Sequence, residues 1–328
     1  MTRNLNYLGS KHTLSNKILS CIQEQIPDLS SKSFCDLFAG SGIIGEKMQE
    51  HTSKIVSNDL ELYSYIINSA LLKQCYTQKI QQIIDYCNNI IEPVSGLITK
   101  HYAIDRKHFT MSNAQKCDGI RLCLEELYSG SEIDKYEYHF LLASLVSSMD
   151  RCANTTSIYS AYLKDYKKDA LKDLTIKPIH TNTHVKVGLN EVYNDYAENI
   201  QVNTDIVYLD PPYNHRQYGG YYGFLNYLVM YDENIKVYGK GGLIPNYNKS
   251  DFCYKQKVQK AFETIIHNTR NCSYIVLSYS SESILSLDDL KKLFRGKEII
   301  LNELEYKNYK SNHQTDMRRV VEYLIIIK

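Results

Sequence analysis

Between residues 33 and 45 the chain passes from an apolar run, Ser33-Phe-Cys-Asp-Leu-Phe38, straight into Ala39-Gly40-Ser41-Gly42-Ile43-Ile44-Gly45. A short apolar run closed by glycines reads as a buried strand, and the stretch from Ser41 to about Glu50 reads as a helix. A second apolar run follows at 54–58, and another helix-like stretch from Leu60 to Leu72. Strands alternating with helices in this way have few solutions, the simplest being an open parallel sheet covered on both faces. Runs at 184–188, 205–209 and 273–279 supply further strands. Runs 298–304 and 320–327, joined by a polar loop, predict an antiparallel hairpin added to that sheet. The expected class is α/β.

Residues 100–183 break the alternation. They carry helical patterns near 113–129, 133–150 and 160–172 with no strong strand between them, which predicts a helical subdomain inserted into a sheet domain made of 1–99 and 184–328. A chain of 328 residues is long enough for both. The polar, glycine-containing stretch 238–251 predicts a long mobile loop. Hydrophobic residues at 43% and charged ones at 23% suit a globular protein, not a disordered or collagen-like one. The longest apolar stretch, Tyr323 to Ile327, is far short of the ~20 residues of a membrane helix. The first thirty residues lack a secretory core, so a cytoplasmic location is expected. Nine cysteines without a CxxC pair fit reduced thiols and predict no metal site.

Formal charge is only +1. Local bias matters more for a polyanionic partner. Arg216, Lys236, Lys240, Lys249, Lys255, Lys257 and Lys260 crowd 214–260, whereas 190–213 holds Glu191, Asp195, Glu198, Asp205 and Asp210 and no base.

The glycine turn admits three readings. Gly40, Gly42 and Gly45 match a dinucleotide fingerprint, with Asp59 near the expected distance. The stretch is also one residue from a phosphate-binding loop, with Glu46 where the lysine belongs. Asp36 and Glu46 flank the turn and no Lys or Arg lies within it before Lys47, which suits a cationic ligand such as S-adenosylmethionine better than a pyrophosphate. A purely structural turn remains the third.

Asp210-Pro211-Pro212-Tyr213 follows the run 205–209, and so falls at a strand's C-terminal end, where open α/β sheets bind ligands. The prolines fix the backbone and remove two N–H donors, leaving carbonyls that only accept. A carboxylate beside a rigid carbonyl is an acceptor pair for an exocyclic amine, and the tyrosine offers a face on which a base can stack.

Taken with the glycine turn, these residues resemble the adenine-N6 DNA methyltransferases of the alpha arrangement, the Dam and FokI-methylase type. Asn6-Tyr7-Leu8-Gly9-Ser10-Lys11 is similar to the family's NYxGSK segment, Asp36 to Gly42 to its DxFxGxG motif, and Asp210 to Tyr218 to DPPYNxRQY. Asn58-Asp59, Ala153 to Lys164, Leu277-Ser278-Tyr279 and Arg319-Val-Val-Glu322-Tyr-Leu also match. The resemblance implies a Rossmann-like S-adenosylmethionine-dependent methyltransferase sheet, with 100–183 as a target-recognition domain. It implies catalysis by Asp210, Pro211, Pro212 and Tyr213 on an adenine flipped from double-stranded DNA. Tyr7, Lys11, Asp36, Phe38, Ala39, Gly40, Gly42, Asp59, Leu60 and Asp210 would hold the cofactor. Where relatives carry an acid about twenty residues before DPPY this chain has Asn190, whose amide oxygen can still accept a hydrogen bond. Expected DNA contacts are Asn214, Arg216, Gln217, Tyr218, Lys164, Lys168, Lys249, Lys307, Lys310, Arg318 and Arg319. The enzyme would be nucleoid-associated when bound and could serve a separately encoded restriction endonuclease. An RNA methyltransferase, a dinucleotide oxidoreductase and a non-catalytic DNA-binding protein are the competing readings.

Overall fold

The apolar runs pair into one seven-stranded sheet in a computed structural model of the chain, which describes residues 5, 9–305 and 321–328. Its strands are β1 (Ser33–Asp36), β2 (Lys54–Asn58), β3 (Glu191–Tyr193), β4 (Ile206–Leu209), β5 (Tyr274–Ser280), β6 (Ile299–Glu305) and β7 (Val321–Ile327). They lie in the order β3-β2-β1-β4-β5-β7-β6. Pairing is parallel from β3 through β5, and β7 runs antiparallel to both β5 and β6. The class is the α/β one expected, down to the C-terminal hairpin.

Period-two alternation sorts each strand between two cores. Phe34, Ile55, Ile206, Tyr208, Val276, Leu324 and Ile326 face one side. Cys35, Val56, Val207, Leu209, Ile275, Leu277, Ile325 and Ile327 face the other. The helices are α1 (Ser15–Gln25), α2 (Ile43–Met48), α3 (Leu62–Lys73), α4 (Gln78–Asn89), α5 (Met111–Ser129), α6 (Lys135–Arg151), α7 (Tyr218–Tyr221), α8 (Gly223–Met230), α9 (Val258–Asn268) and α10 (Leu287–Leu293). α9 and α10 cover the second face through Phe262, Ile265 and Leu290. On the first face α3 packs against the sheet and carries α6 on its outer side. Residues 100–183 therefore share a continuous core with the sheet: Ile120, Leu124, Phe140 and Leu145 belong to the same cluster as Ile67 and Phe34. α6 opens on a capping box, Asp134 accepting from the N–H groups of Tyr136 and Glu137 while Glu137 accepts from Asp134 N–H.

Three expectations shift. The run 184–188 is not a strand; β3 forms instead at Glu191–Tyr193, whose register against Val56–Asn58 leaves 184–188 beyond the end of β2. Carbonyls there accept within a local turn, Val185 from Val187 N–H and Lys186 from Leu189 and Asn190 N–H, while Val187 O accepts from Lys73 Nζ at 2.7 Å. The helix expected over 160–172 reduces to one 3-10 turn, Lys168–Leu171. Asn154 is the reason: its main chain and side chain take up Leu163 N–H, Leu163 C=O and Lys167 N–H, replacing a helical ladder. The loop 238–251 is docked. Tyr238 and Leu243 exchange two backbone hydrogen bonds, Tyr102 donates to Gly242 O at 2.8 Å, and Arg106 donates twice to Gly239 O at 3.1 and 2.7 Å.

Strand order reverses between β1 and β4, because the chain moves outward to β2 and β3 and then crosses back. Residue Asp36 pairs in register with Tyr208, so the loops leaving both strands open into one crevice.

Candidate active site

That crevice, about 930 Å³ including its mouth, is lined by both sequence motifs. Lys11, Asp36, Phe38, Ala39, Gly40, Asp59 and Leu60 face Asp210, Pro211, Pro212, Tyr213, Gln217 and Tyr218 across it. Gly40 and Gly42 turn the chain out of β1 with φ of +52° and +77°. Gly42 is also sterically required, since a Cβ there would come within 2.6 Å of Leu71 Cδ1.

Asp59 builds the turn as well as lining it. Its Oδ2 accepts from Gly40 N–H at 2.7 Å and its Oδ1 from Glu61 N–H at 2.9 Å. Ser64 Oγ donates to Gly40 O at 2.6 Å from the first turn of α3. Burial raises the Asp59 carboxyl above the ordinary range.

Asp36 is 1% exposed, and its Oδ1 has no hydrogen-bond partner among the described residues. Burial, reinforced by the charges of Asp210 and Asp59, pushes its carboxyl up to about 8. A buried acceptor without a donor is costly, and this one belongs to a residue that lines the cleft. The lining is thus rich in carboxyls and acceptors, which fits a ligand carrying an ammonium group and opposes a pyrophosphate.

Asp210, just beyond β4, is held by Lys11. The Lys11 ammonium stands 2.8 Å from Asp210 Oδ1 and 3.0 Å from Glu322 Oε1. Burial pushes the Asp210 carboxyl up to about 6, against the lowering pull of Lys11 and with Glu322 adding to the rise. Burial opposes the Lys11 charge too, but the two carboxylates outweigh it and keep its pKa well above the ordinary value. The Tyr213 ring lies 5.9 Å from the same ammonium.

The downstream residues buttress the loop. Asn214 Oδ1 accepts from Arg216 N–H at 3.0 Å, and Gln217 exchanges two hydrogen bonds with the Ser250 backbone. The Tyr218 ring stacks on Tyr222. Arg216, Lys249, Lys164 and Lys168 are exposed. Tyr7, Lys307, Lys310, Arg318 and Arg319 lie outside the described residues.

Asn190 departs from its expected place. It is 1% exposed and does not line the cleft; its Oδ1 accepts from Ile55 N–H and its Nδ2 donates to Gln49 Oε1 and Leu72 O. The amide thereby ties β2 to α3 and to the end of α2. Tyr196, Ala197 and Glu198 line the cleft instead, with Glu61 and Tyr208. Burial pushes Glu61 up to about 8, despite the hydrogen bond it accepts from Asn226 at 2.6 Å. The only sequence signal for Glu198 is its place in the base-free stretch 190–213.

Among the described residues no group of His, Cys, Asp or Glu is arranged to hold a metal, and no helix is long and apolar enough to cross a membrane.

An acceptor pair at a strand end, facing a carboxyl-lined glycine turn across the switch point of an α/β sheet, is the architecture of an amine-directed methyltransferase. A model of the D12 class N6 adenine-specific DNA methyltransferases matches residues 7–293, and the chain belongs to that family. It is 36% identical over 341 residues to the type II methyltransferase M.NlaIII of Neisseria lactamica, with 99% of each chain covered. Against the type II methyltransferase M.CviAII of Paramecium bursaria Chlorella virus 1 it is 38% identical over 332 residues, covering 98% of each. Identity to the type II methyltransferase M.FokI of Planomicrobium okeanokoites is 31% over 346 residues, spanning 52% of that longer protein. The protein is accordingly an enzyme that methylates adenine in DNA, and the oxidoreductase, RNA and non-catalytic readings fall away.

Proposed function

We propose that the protein transfers the methyl group of S-adenosylmethionine to the N6 amine of an adenine flipped out of double-stranded DNA, as the modification enzyme of a restriction–modification system. The observation that carries this reading is the shared cleft, lined both by Asp210 to Tyr213 and by Asp36, whose Oδ1 has no hydrogen-bond partner among the described residues. S-adenosylmethionine supplies an already activated methyl group when bound. Asp36 would accept from its ammonium group and Asp59 from its ribose hydroxyls, with Phe38, Ala39, Gly40 and Leu60 forming the walls; Gly42 holds the turn.

An amine inside a duplex is beyond reach, so the base must leave the stack. Tyr213 would stack on it, Asp210 would accept one N6 hydrogen, and the Pro211 carbonyl the other. Pro212 keeps that carbonyl rigid. Two acceptors in a bent arrangement draw the nitrogen out of conjugation with the ring and free its lone pair. Orientation and electrostatic complementarity supply the acceleration, and no cysteine nucleophile is required. Arg216, Lys164, Lys168 and Lys249 would meet phosphates, with Asn214, Gln217 and Tyr218 near the flipped strand. Such an enzyme works in the cytoplasm, on the nucleoid. The pairing with a separately encoded endonuclease is supported by relatives described as type II methyltransferases and as modification methylases.

The test is incubation with methyl-labelled donor and duplex DNA, followed by nucleoside analysis for N6-methyladenine. Asp210→Ala is expected to abolish transfer while leaving donor binding largely intact. Normal turnover by that variant would overturn the mechanism.

A further inference from the structure

Two motifs singled out in the sequence, Leu277-Ser278-Tyr279 and the segment ending Glu322-Tyr323-Leu324, have no part in the chemistry above. β5 and β7 are antiparallel neighbours, and Ser278 and Glu322 meet between them: Ser278 Oγ donates to Glu322 Oε1 at 2.7 Å. That same oxygen lies 3.0 Å from Lys11 Nζ, which also pairs with Asp210 Oδ1 at 2.8 Å. Glu322 is 3% exposed, Lys11 5% and Ser278 fully buried. Three segments remote in sequence thus converge beneath the acceptor carboxylate.

We propose that Glu322 is a positioning residue for methyl transfer: it holds the Lys11 ammonium through one carboxylate so that Asp210 is fixed in place without being neutralised. This rests on the reading of Asp210 as the N6 acceptor. A buried lysine paired with Asp210 alone would match it charge for charge, leaving a weak acceptor. A second buried carboxylate makes the cluster one cation between two anions, a net negative centre. Lys11 occupies Oδ1, so Oδ2 is the oxygen left for the base, and it keeps anionic character as positive charge develops on the amine. Ser278 fixes the Glu322 rotamer and offsets part of its burial.

Groups bearing on this pair come from every surrounding element: Tyr208 from β4, Asp36 from β1, Tyr213 from the strand-end loop and Tyr218 from α7. Among the described residues, Glu322 is the carboxylate in contact with Lys11 besides Asp210 itself.

The experiment is steady-state methylation of duplex DNA from pH 5 to 9 by wild type and Glu322→Gln, with donor affinity and melting temperature measured alongside. Glu322→Gln is expected to lower kcat about 10- to 100-fold, the scale of a misplaced reacting group. Donor affinity and KM for DNA should stay within about threefold of wild type, because neither is contacted by Glu322. Its anion holds the Asp210 carboxyl up, so the acid limb of kcat should move to lower pH; Lys11→Met should move it the opposite way. A merely structural role would lower the melting temperature and leave that limb in place. If Glu322→Gln fails to fold, Ser278→Ala decides, with an expected kcat loss of about tenfold, the worth of a charge-assisted hydrogen bond. Folded Glu322→Gln with wild-type kcat and an unmoved limb, or an indifferent Ser278→Ala, would overturn the proposal while wild type still methylates. Wild type that leaves adenines unmethylated would overturn the proposed function itself.

Discussion

Asp36 shows how a single carboxylate can be poor for the fold and good for the site. Burial holds it near 8, so at pH 7 it is mostly protonated in the cofactor-free protein. An ammonium group placed against its Oδ1 favours the ionised form, and binding of S-adenosylmethionine should then expel a proton. Calorimetric titration at pH 7 in buffers of different ionisation enthalpy should reveal release of up to about one proton. In Asp36→Asn that release should vanish and the donor should bind more weakly; unchanged release would discount Asp36 as the ammonium partner. Stability runs the other way. A carboxyl raised from 3.8 to about 8 contributes stability that is fully present below pH 4 and lost as pH rises through 8. Asn cannot ionise, so Asp36→Asn should melt roughly 1–3 °C above wild type at pH 9.

Elements differ in how openly the chain announces them. Parallel strands buried on both faces are apolar over most of their length, which is why β1, β2, β4 and β5 stand out as runs, within a residue or two of their ends, despite buried polar residues such as Ser57 and Ser278. β3 is a three-residue edge strand of mixed polarity, and its register with β2 rather than its own composition places it. The segment 160–172 has helical periodicity, but one buried side chain, Asn154, captures its backbone groups, and no local pattern encodes a capture across that distance. The cleft residues from DPPY and the glycine turn were legible because their chemistry is contiguous; Glu198 and Glu61 were not, because only tertiary folding brings them to the cleft. Two element-scale outcomes follow. Gly42→Ala forces a side chain into φ +77° and against Leu71, and should cost about 1–3 kcal/mol in denaturant unfolding. Arg106→Ala removes two of the bonds to Gly239 O and should speed proteolytic cutting within 238–251 without altering helix content.

At the scale of the molecule, the helices of 100–183 and the sheet are joined by one core running through α3. Segments that share a core lose their packing together, so calorimetric unfolding should be a single transition with matching van't Hoff and total enthalpies. Two resolved transitions would show that the insert folds apart. Charge acts at this scale too. The near-neutral total gives little long-range attraction to DNA, so the proposed phosphate contacts have to act locally. Arg216→Ala, Lys164→Ala and Lys249→Ala should each reduce the slope of log affinity against log salt by about 0.9, the signature of one phosphate left unneutralised.

The placement of β7 between β5 and β6 sets an order on synthesis. On the ribosome the glycine turn and the DPPY segment emerge long before residue 322, and until that residue arrives β5 keeps one edge open and Lys11 has a single carboxylate beside it. A nascent chain would carry a nearly finished donor cleft with an untuned acceptor, together with an unpaired strand edge of the kind chaperones recognise. Competence to mark DNA would then arrive late and all at once, when the final strand slides into its slot.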